Sequence, residues 1–251
     1  MDNRATAWVG KLLADQQKKI AAEHALKFIE PGTTIGIGTG STADHFTRAL
    51  GRKVAEGMEI VGVPTSVKTA ELARACGIPL TTLDQVPRLS VTVDGADEVG
   101  PGLVLIKGAG GALLREKIVA NASDRMIVIA DASKDVAELG AFPLPIEVSS
   151  FGLRATIGAI ERAIGEIGMP AELRMRKSAE QQNYVTDGGN WIIDASFGRI
   201  VSPKKLSDTL SQIPGVVEHG LFIGIASRAI FGTKDGIEMK VAAPAEEGMN
   251  S

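Results

Sequence analysis

The chain has 251 residues, of which 44% are hydrophobic and 23% charged, and its formal net charge is −3. A chain of this size and composition can bury a sizeable core, and it lacks the long like-charge runs of disordered proteins. Its acidic balance and its 4% aromatic content argue against a nucleic-acid partner, which requires a basic face and stacking side chains. Glycine, at 29 residues, is more frequent than in an average protein.

Several compartments and kinds of site are also disfavoured. The single cysteine, Cys76, leaves no disulfide framework, so we expect a reducing compartment, the cytoplasm. Residues 1–19 contain no apolar signal-peptide core, so no secretion signal is expected. The most apolar late stretch, 221–232, is too short to span a membrane and contains Arg228, so no membrane partner is expected. With one cysteine and three scattered histidines, no metal site is expected either.

Up to about residue 140, strand and helix patterns alternate along the chain. Helices are predicted over residues 11–30, 41–50, 67–77 and 111–123. Strands are predicted over residues 33–40, 59–66, 79–83, 89–99 and 125–131. Ser41 or Thr42 is expected to cap the second helix. Apolar strands that alternate with helices of about three turns predict an α/β fold, in which a mostly parallel sheet carries helices on both faces.

The pattern changes after about residue 140. Two prolines in residues 142–150 favour an edge or crossover strand. Beyond them, helices are predicted over 152–168 and 202–213, and strands over 171–176, 183–197 and 214–232. This α+β pattern predicts a second, smaller domain. The last segment, 242–251, consists of small and polar residues and is expected to be frayed.

The first glycine cluster joins a strand to a helix and comprises Gly36, Gly38, Gly40, Ser41 and Thr42. Glycines allow close approach of the backbone, and a helix N-terminus offers free N–H groups, so the loop is either a phosphate cradle or a plain tight turn. A dinucleotide fingerprint needs glycine or alanine where Ser41 stands, and the next strand ends without an acidic residue. The lysine of a nucleoside-triphosphate loop is also absent. A small phosphorylated molecule therefore fits better than a nicotinamide cofactor or a nucleoside triphosphate.

Two further clusters carry ionisable groups. Asp94, Asp97 and Glu98 follow a strand, at the edge where open α/β sheets bind ligands, although an exposed turn has a similar composition. Lys107 precedes a glycine turn that enters a helix, which is again an arrangement that faces an anion. Glu116, in that helix, is either a solvated residue or, beside the carboxylates and the lysine, a general base with a pKa raised by burial.

In order and spacing, these segments resemble the A-type family of ribose-5-phosphate isomerases. The segments that carry the resemblance are GIGTGSTADHF (36–46), PTS (64–66), DGADE (94–98) and KGAGGALLREK (107–117). Further likeness lies in 129–134, 142–148, 185–194 and 213–222, so the resemblance covers nearly the whole chain. It implies interconversion of D-ribose 5-phosphate and D-ribulose 5-phosphate through an enediolate, in the non-oxidative pentose phosphate pathway, with no metal or organic cofactor.

The same resemblance implies an architecture and an assembly. A Rossmann-like catalytic domain is implied over residues 1–140 and 223–251, with a smaller α+β domain inserted over 141–222. Members of the family are usually homodimers and sometimes tetramers. We therefore expect a homodimer with a sugar phosphate as its small-molecule partner.

Carried over by motif, the resemblance implies that Glu116 is the proton acceptor, with Lys107, Asp94 and Asp97 as further catalytic residues. Lys107 is expected to stabilise charge on the carbonyl oxygen. The two aspartates are expected to open the sugar ring and to move protons between its oxygens. The implied substrate-binding residues are Thr39, Gly40, Ser41, Thr42, Gly95, Ala96, Gly108, Ala109, Gly110, Lys134 and, on a shorter match, Lys18. Ala109 replaces a glycine of many members and removes no chemical group.

Other functions on related folds fit parts of the pattern. A non-catalytic sugar-phosphate sensor would carry a DNA-reading head, for which the 35 residues before the glycine loop leave little room. A sensor also has no need for Asp97, Lys107 and Glu116 together. An amino-sugar phosphate isomerase would place a histidine in the site, and the acidic and lysine loops contain none. An acyl-CoA transferase would need a CoA pocket, for which the sequence has no sign.

Overall fold

The structure is a computed structural model that describes the backbone of residues 3–243 and the side chains of residues 10–243. Its helices are α1 (Asn3–Ala25), α2 (Ser41–Ala55), α3 (Val67–Ala75), α4 (Leu113–Asn121), α5 (Leu153–Glu166) and α6 (Pro203–Ser211). Its strands are β1 (Thr33–Ile37), β2 (Ile60–Pro64), β3 (Val91–Asp94), β4 (Glu98–Val99), β5 (Leu105–Ile106), β6 (Met126–Asp131), β7 (Leu144–Val148), β8 (Glu172–Met175), β9 (Trp191–Ser196), β10 (Val216–His219), β11 (Leu221–Phe222), β12 (Ala226–Thr233) and β13 (Gly236–Val241). Most of the segment predicted to be frayed, 242–251, lies outside the described residues. None of the described helices is long and apolar enough to cross a membrane.

The largest sheet has the strand order β13-β12-β6-β3-β1-β2, and every neighbouring pair except β12–β13 is parallel. Successive side chains of a strand face opposite sides of a sheet, so buried strands need cover on both faces. One face packs on α1, α2 and α3 through a cluster that includes Ile35, Phe46 and Ile129. The other face packs on α4 through a cluster that includes Val128 and Ala120. The predicted α/β fold with a mostly parallel sheet is confirmed.

Two smaller antiparallel sheets have the strand orders β10-β7-β9-β8 and β11-β5-β4. The first packs on α5 and α6 through residues such as Ile146, Ile160 and Leu206. Of the two alternatives predicted for residues 142–150, the edge position is wrong, because β7 lies between β10 and β9. Pro145 lacks a backbone donor, but the burial of the apolar side chains around it outweighs one missing hydrogen bond.

The loops after three parallel strands meet at one edge of the main sheet. β1 runs into Gly38, β3 ends at Asp94 and β6 ends at Asp131, and these strands are neighbours. The backbone N–H of Asp97 donates to the carbonyl of Ile106 at 2.8 Å, which holds the end of β5 beside the loop after β3. The carboxyl ends of the parallel strands, where open α/β sheets bind ligands, therefore meet the lysine loop that follows β5.

Candidate active site

A cavity of about 340 Å³ opens at this edge of the sheet, a volume that suits a small molecule. The cavity is lined by Lys18, Thr39, Gly40, Ser41, Thr42, Gly95, Ala96, Asp97, Lys107, Gly108, Ala109, Gly110, Glu116 and Lys134. These are all the predicted catalytic and substrate-binding residues except Asp94. The structure thus brings together residues from segments that are up to 116 positions apart in the sequence, Lys18 and Lys134 being the most distant pair.

The glycine loop after β1 places a helix N-terminus at the cavity. Gly40 has a φ of +118°, a backbone conformation that L side chains rarely adopt, and it directly precedes α2. The predicted capping by Ser41 or Thr42 is wrong, because both residues already lie inside the helix and Gly40 is its N-cap. The hydroxyl of Ser41 instead accepts a hydrogen bond of 3.1 Å from Nζ of Lys18. The free N–H groups of the first turn remain available to an anion.

Asp94 lies below the glycine loop and is fully buried. Its Oδ1 accepts hydrogen bonds from the backbone N–H of Gly95 at 2.7 Å and of Thr39 at 3.1 Å. A Cβ at Gly38 would lie 2.1 Å from the same oxygen, so the close approach of this carboxylate to the end of β1 requires glycine. Burial raises the pKa of Asp94, against the opposing effect of the Lys107 charge. Asp94 does not line the cavity, but its partners Thr39, Gly95 and Lys107 do.

Lys107 is the cation between two carboxylates. Its Nζ donates to the carbonyl of Gly95 at 2.6 Å and to Oε1 of Glu116 at 3.2 Å, and lies 3.1 Å from Oδ2 of Asp94. The side chain is 2% exposed, with Nζ 5.5 Å from the ring centroid of Phe222. Burial alone would lower the pKa of Lys107, but the two carboxylates outweigh burial and raise it. Lys107 is thus a fixed positive charge whose Nζ donates two hydrogen bonds within the protein and forms an ion pair with Asp94.

Glu116 lies in the first turn of α4 with its side chain buried. Burial and the neighbouring Asp94 carboxylate raise the pKa of Glu116 to about 8, although Lys107 opposes them. Oε1 accepts the hydrogen bond from Lys107, whereas Oε2 is buried and has no hydrogen-bond partner among the described residues. A carboxylate with a raised pKa and one unengaged oxygen is suited to act as a base near neutral pH.

Asp97 is the aspartate of the acidic loop that reaches the cavity. It is partly exposed, and its Oδ2 accepts a hydrogen bond of 2.9 Å from the backbone N–H of Ala109. This bond joins the acidic loop to the glycine turn after Lys107, in which Gly108 has a φ of +112°. The alanine at position 109 leaves the backbone donor in place, so the departure from glycine costs this contact nothing.

Two lysines give the cavity further positive charge. Lys18 comes from α1, and Lys134 ends the short 3₁₀ turn Ala132–Lys134 after β6. Together with the N-terminus of α2, they make one part of the cavity suited to a phosphate group. Within the described part of the chain, no group of three or more His, Cys, Asp or Glu is arranged to hold a metal ion.

Comparison with known proteins shows to which family the chain belongs. The family model for ribose 5-phosphate isomerase A (phosphoriboisomerase A) matches residues 61–236. The chain belongs to this family. It is 58% identical over 226 residues to ribose-5-phosphate isomerase A of Rhodopseudomonas palustris (strain BisB18), a match that covers 90% of this chain and 97% of that protein. It is 56% identical over 229 residues to ribose-5-phosphate isomerase A of Bradyrhizobium diazoefficiens, a match that covers 90% of this chain and 95% of that protein.

Solved structures agree with this placement. A D-ribose-5-phosphate isomerase in complex with phospho-erythronic acid superposes on the chain with a TM-score of 0.84 and 43% sequence identity. The superposition covers 91% of this chain and 99% of that chain. The family that the sequence motifs resemble is therefore confirmed.

Beside the cavity lies a hydroxyl cluster that the sequence patterns did not predict. The hydroxyl of Thr39 is within 2.7 Å of Thr65 Oγ1, 2.9 Å of Ser66 Oγ and 3.0 Å of Thr69 Oγ1. Ser66 also caps α3 by accepting a hydrogen bond from the backbone N–H of Thr69. The segment PTS (64–66) was part of the resemblance. Its position in the sequence gives no sign that its hydroxyls contact Thr39 in the glycine loop.

A second missed set comes from the region around the antiparallel sheet. Arg176 and Tyr184 donate hydrogen bonds to carbonyls of the glycine turn after Lys107. They lie 68 and 74 positions from their partners, and arginine or tyrosine in a strand-like segment is too common to be a signal.

Proposed function

We propose that the chain is an aldose–ketose isomerase that interconverts D-ribose 5-phosphate and D-ribulose 5-phosphate through an enediolate. The observation that carries this proposal is the pair of Glu116 and Lys107. A buried carboxyl of raised pKa has one free oxygen and lies 3.2 Å from a buried cation, in a cavity that also offers phosphate-binding groups. The names of the relatives support the same substrate.

The reaction moves one proton between C2 and C1 of the open-chain sugar phosphate. Glu116 takes the proton from C2 and returns it to C1, because a single carboxylate placed between adjacent carbons serves both steps. We assign the transfer to Oε2, since Oε1 is engaged by Lys107. The same path in reverse converts the ketose to the aldose.

Negative charge that develops on the carbonyl oxygen requires groups that are oriented in advance. Lys107 supplies positive charge there, while its Nζ donates hydrogen bonds to Gly95 and Glu116 and forms an ion pair with Asp94. Hydrogen bonds to the oxygen are assigned to the backbone N–H groups of Gly108 and Gly110 in the glycine turn, because the N–H of Ala109 donates to Asp97. Lys107 lines the cavity, so its positive charge stabilises the enediolate beside these donors.

The two aspartates have different roles in this proposal. Asp97 lines the cavity and transfers protons between the sugar oxygens, including those of ring opening. Asp94 is fully buried, accepts two backbone N–H groups and lies 3.1 Å from Nζ of Lys107. It is a positioning residue that holds the cation and the end of β1.

Conversion of ribose 5-phosphate by the purified chain, measured in the presence of a chelator, tests the proposal. We expect turnover that survives the chelator. We also expect deuterium from D₂O to enter C1 of the ribulose 5-phosphate formed, and C2 of ribose 5-phosphate through the reverse reaction, as a base that exchanges its proton with solvent requires. Binding of ribose 5-phosphate in calorimetry without any turnover would contradict the proposal and favour a sugar-phosphate sensor.

Removing either cavity lysine is expected to weaken substrate binding more than turnover. Lys18→Ala and Lys134→Ala should each raise KM ~10-fold with kcat within ~3-fold, because the phosphate binds equally in the ground and transition states. Steady-state kinetics measures both constants. The matched control is Lys19→Ala, which removes an exposed lysine next to Lys18 that does not line the cavity. An unchanged KM in both cavity variants would show that the phosphate binds elsewhere.

The value of kcat/KM is expected to rise with pH and level off above about 8, the raised pKa of Glu116. Below this pKa the folded enzyme holds Glu116 protonated, and a protonated carboxyl cannot accept the C2 proton. Since the pKa of Lys107 is raised, Lys107 keeps its charge and causes no fall of kcat/KM at alkaline pH. The profile is recorded above pH ~6.5, because the substrate phosphate titrates near pH ~6. A flat profile between pH ~6.5 and ~9 would contradict a raised pKa of about 8 for Glu116.

The assembly, the domains and the compartment are also proposed. A homodimer follows the family resemblance, and light scattering of the purified chain measures the mass directly. A smaller domain over residues 141–222 is supported by a hydrophobic cluster drawn mainly from that segment. A cytoplasmic location suits a chain with one free cysteine.

A further inference from the structure

The glycine turn after Lys107 is held from outside by a segment of the antiparallel region. Nη1 of Arg176 donates to the carbonyls of Gly108 at 2.8 Å and Ala109 at 3.1 Å. The hydroxyl of Tyr184 donates to the carbonyl of Gly110 at 3.2 Å. Three consecutive carbonyls of the turn thus accept hydrogen bonds from two side chains that do not line the cavity.

The guanidinium of Arg176 is itself fixed. Its Nε donates to Oδ2 of Asp194 in β9 at 2.9 Å, and its Nη2 pairs with the other oxygen of the same carboxylate. The side chain is 13% exposed, so this bidentate pair is partly shielded from water. Arg176 therefore forms a rigid link from β9 to the glycine turn.

The direction of these carbonyls decides where the N–H groups of the turn point. In a planar trans peptide the C=O and the following N–H point in opposite directions, and the described residues contain no cis peptide. With the carbonyl of Gly108 on Arg176, the N–H of Ala109 points away and donates to Asp97 at 2.9 Å. With the carbonyl of Ala109 on Arg176, the N–H of Gly110 likewise points away from the guanidinium, and Gly110 lines the cavity.

The turn's own hydrogen bond, from the N–H of Gly111 to the carbonyl of Gly108 at 3.0 Å, does not fix the central peptide between Ala109 and Gly110. The turn contains three glycines in positions 108–111, and Gly108 and Gly111 have positive φ values of +112° and +75°. Glycine populates many backbone conformations, so the orientation of this central peptide depends on a contact from outside the turn. A cation on the carbonyl side also polarises each peptide and strengthens the N–H donor on its other side.

We propose that Arg176 is a positioning residue for the isomerisation, which aims the backbone N–H groups of Ala109 and Gly110 at Asp97 and at the reacting oxygen. Tyr184 supports the same turn at Gly110. This inference rests on the proposed function for the identity of the reaction. It adds a group outside the cavity on which the orientation of the oxyanion donors depends.

The test compares Arg176→Met and Arg176→Lys with Arg174→Met. Arg174 lies on β8 two residues earlier, is exposed, and pairs only with Glu172 among the described residues. We expect Arg176→Met to lower kcat 10- to 100-fold, because a displacement of about 1 Å in a donor has this effect, while KM changes less than ~3-fold. Arg176→Lys should recover part of kcat, since lysine keeps the charge without the planar fork. Arg174→Met should match the wild type.

Amide hydrogen exchange of the peptide that covers residues 107–111 supplies a readout that does not depend on turnover. We expect exchange at least ~5-fold faster in Arg176→Met than in the wild type, with no change in Arg174→Met. If the wild type itself shows no isomerase activity, the proposed function fails, and exchange alone then decides whether Arg176 orders the turn. A normal kcat, unchanged exchange, or a rise in KM at constant kcat in Arg176→Met would overturn the inference.

A milder variant covers the case in which Arg176→Met does not fold. Tyr184→Phe removes only the hydroxyl that donates to Gly110, and it should lower kcat about 3-fold and speed exchange of the same peptide. Normal kcat and normal exchange in Tyr184→Phe, together with a folded and fully active Arg176→Lys, would equally overturn the inference.

Discussion

Replacing Glu116 with glutamine is expected to lower kcat at least ~10²-fold and to leave KM within a few-fold. Glutamine has nearly the same shape and still accepts a hydrogen bond from Lys107 through its amide oxygen. It cannot take a proton from carbon, so the loss falls on the chemical step and substrate binding is kept. Steady-state kinetics on ribose 5-phosphate separates the two constants.

The same substitution is expected to leave the fold as stable or to stabilise it at alkaline pH. In the folded protein the pKa of Glu116 is raised from 4.5 to about 8, so the folded state binds a proton that the unfolded state has released. Between these two values the free energy of unfolding therefore falls as pH rises. Glutamine cannot ionise, so the Tm difference in favour of the variant should be larger at pH ~9 than at pH ~5.

Glu147→Gln is the matched control for this experiment. Glu147 is also buried, but it lies outside the main cavity, where its Oε1 accepts hydrogen bonds from Thr186 at 2.8 Å and Asn190 at 3.0 Å. We expect its kcat to stay within ~3-fold of the wild type. Near-normal turnover in Glu116→Gln, or an equal loss in both variants, would contradict the role of Glu116 as the base.

The main sheet was predictable because each of its strands can be recognised from a short stretch of the sequence. The continuous apolar run of β6 is buried on both faces, and such a run is typical of a parallel strand covered by helices. Glycine and acidic loops after β1 and β3 could be placed at one edge, because parallel strands end on the same side. The gathering of these loops around one cavity follows from topology more than from any single residue.

Other features depend on contacts that no local pattern contains. The prolines of β7 favoured an edge or crossover strand. It does not lie at an edge, because β9 and β10, which follow much later in the chain, pair on both of its sides. Two aspartates three positions apart look equivalent in the sequence. Only the packing of Gly38 against Asp94 and of Ala109 against Asp97 shows that one is buried below Lys107 and the other reaches the cavity.

Replacing Lys107 with methionine is expected to lower kcat ~10³-fold and to destabilise the fold by about 3–5 kcal/mol. Methionine fills most of the volume, so the main change is the loss of one positive charge between Asp94 and Glu116. Those buried carboxylates then face each other without a cation, and both take up protons at higher pH than in the wild type. The ionised fraction of Glu116 at neutral pH therefore falls further, and the enediolate loses its electrostatic support.

The pH dependence of stability separates this explanation from simple loss of packing. Because the variant's carboxylates bind protons more tightly in the folded state than in the unfolded state, its free energy of unfolding should fall more steeply between pH ~5 and ~9 than that of the wild type. Urea unfolding at the two pH values measures the difference.

Lys117→Met is the matched control, since the Nζ of Lys117 lies 5.0 Å from the ring centroid of Phe222 and 2.6 Å from Oε1 of Glu218. That variant also loses a largely buried cation beside the same ring, so it should be destabilised while its kcat stays within ~5-fold of the wild type. Equal losses of turnover in both variants would show that Lys107 acts through the fold and not through its charge at the reacting carbons.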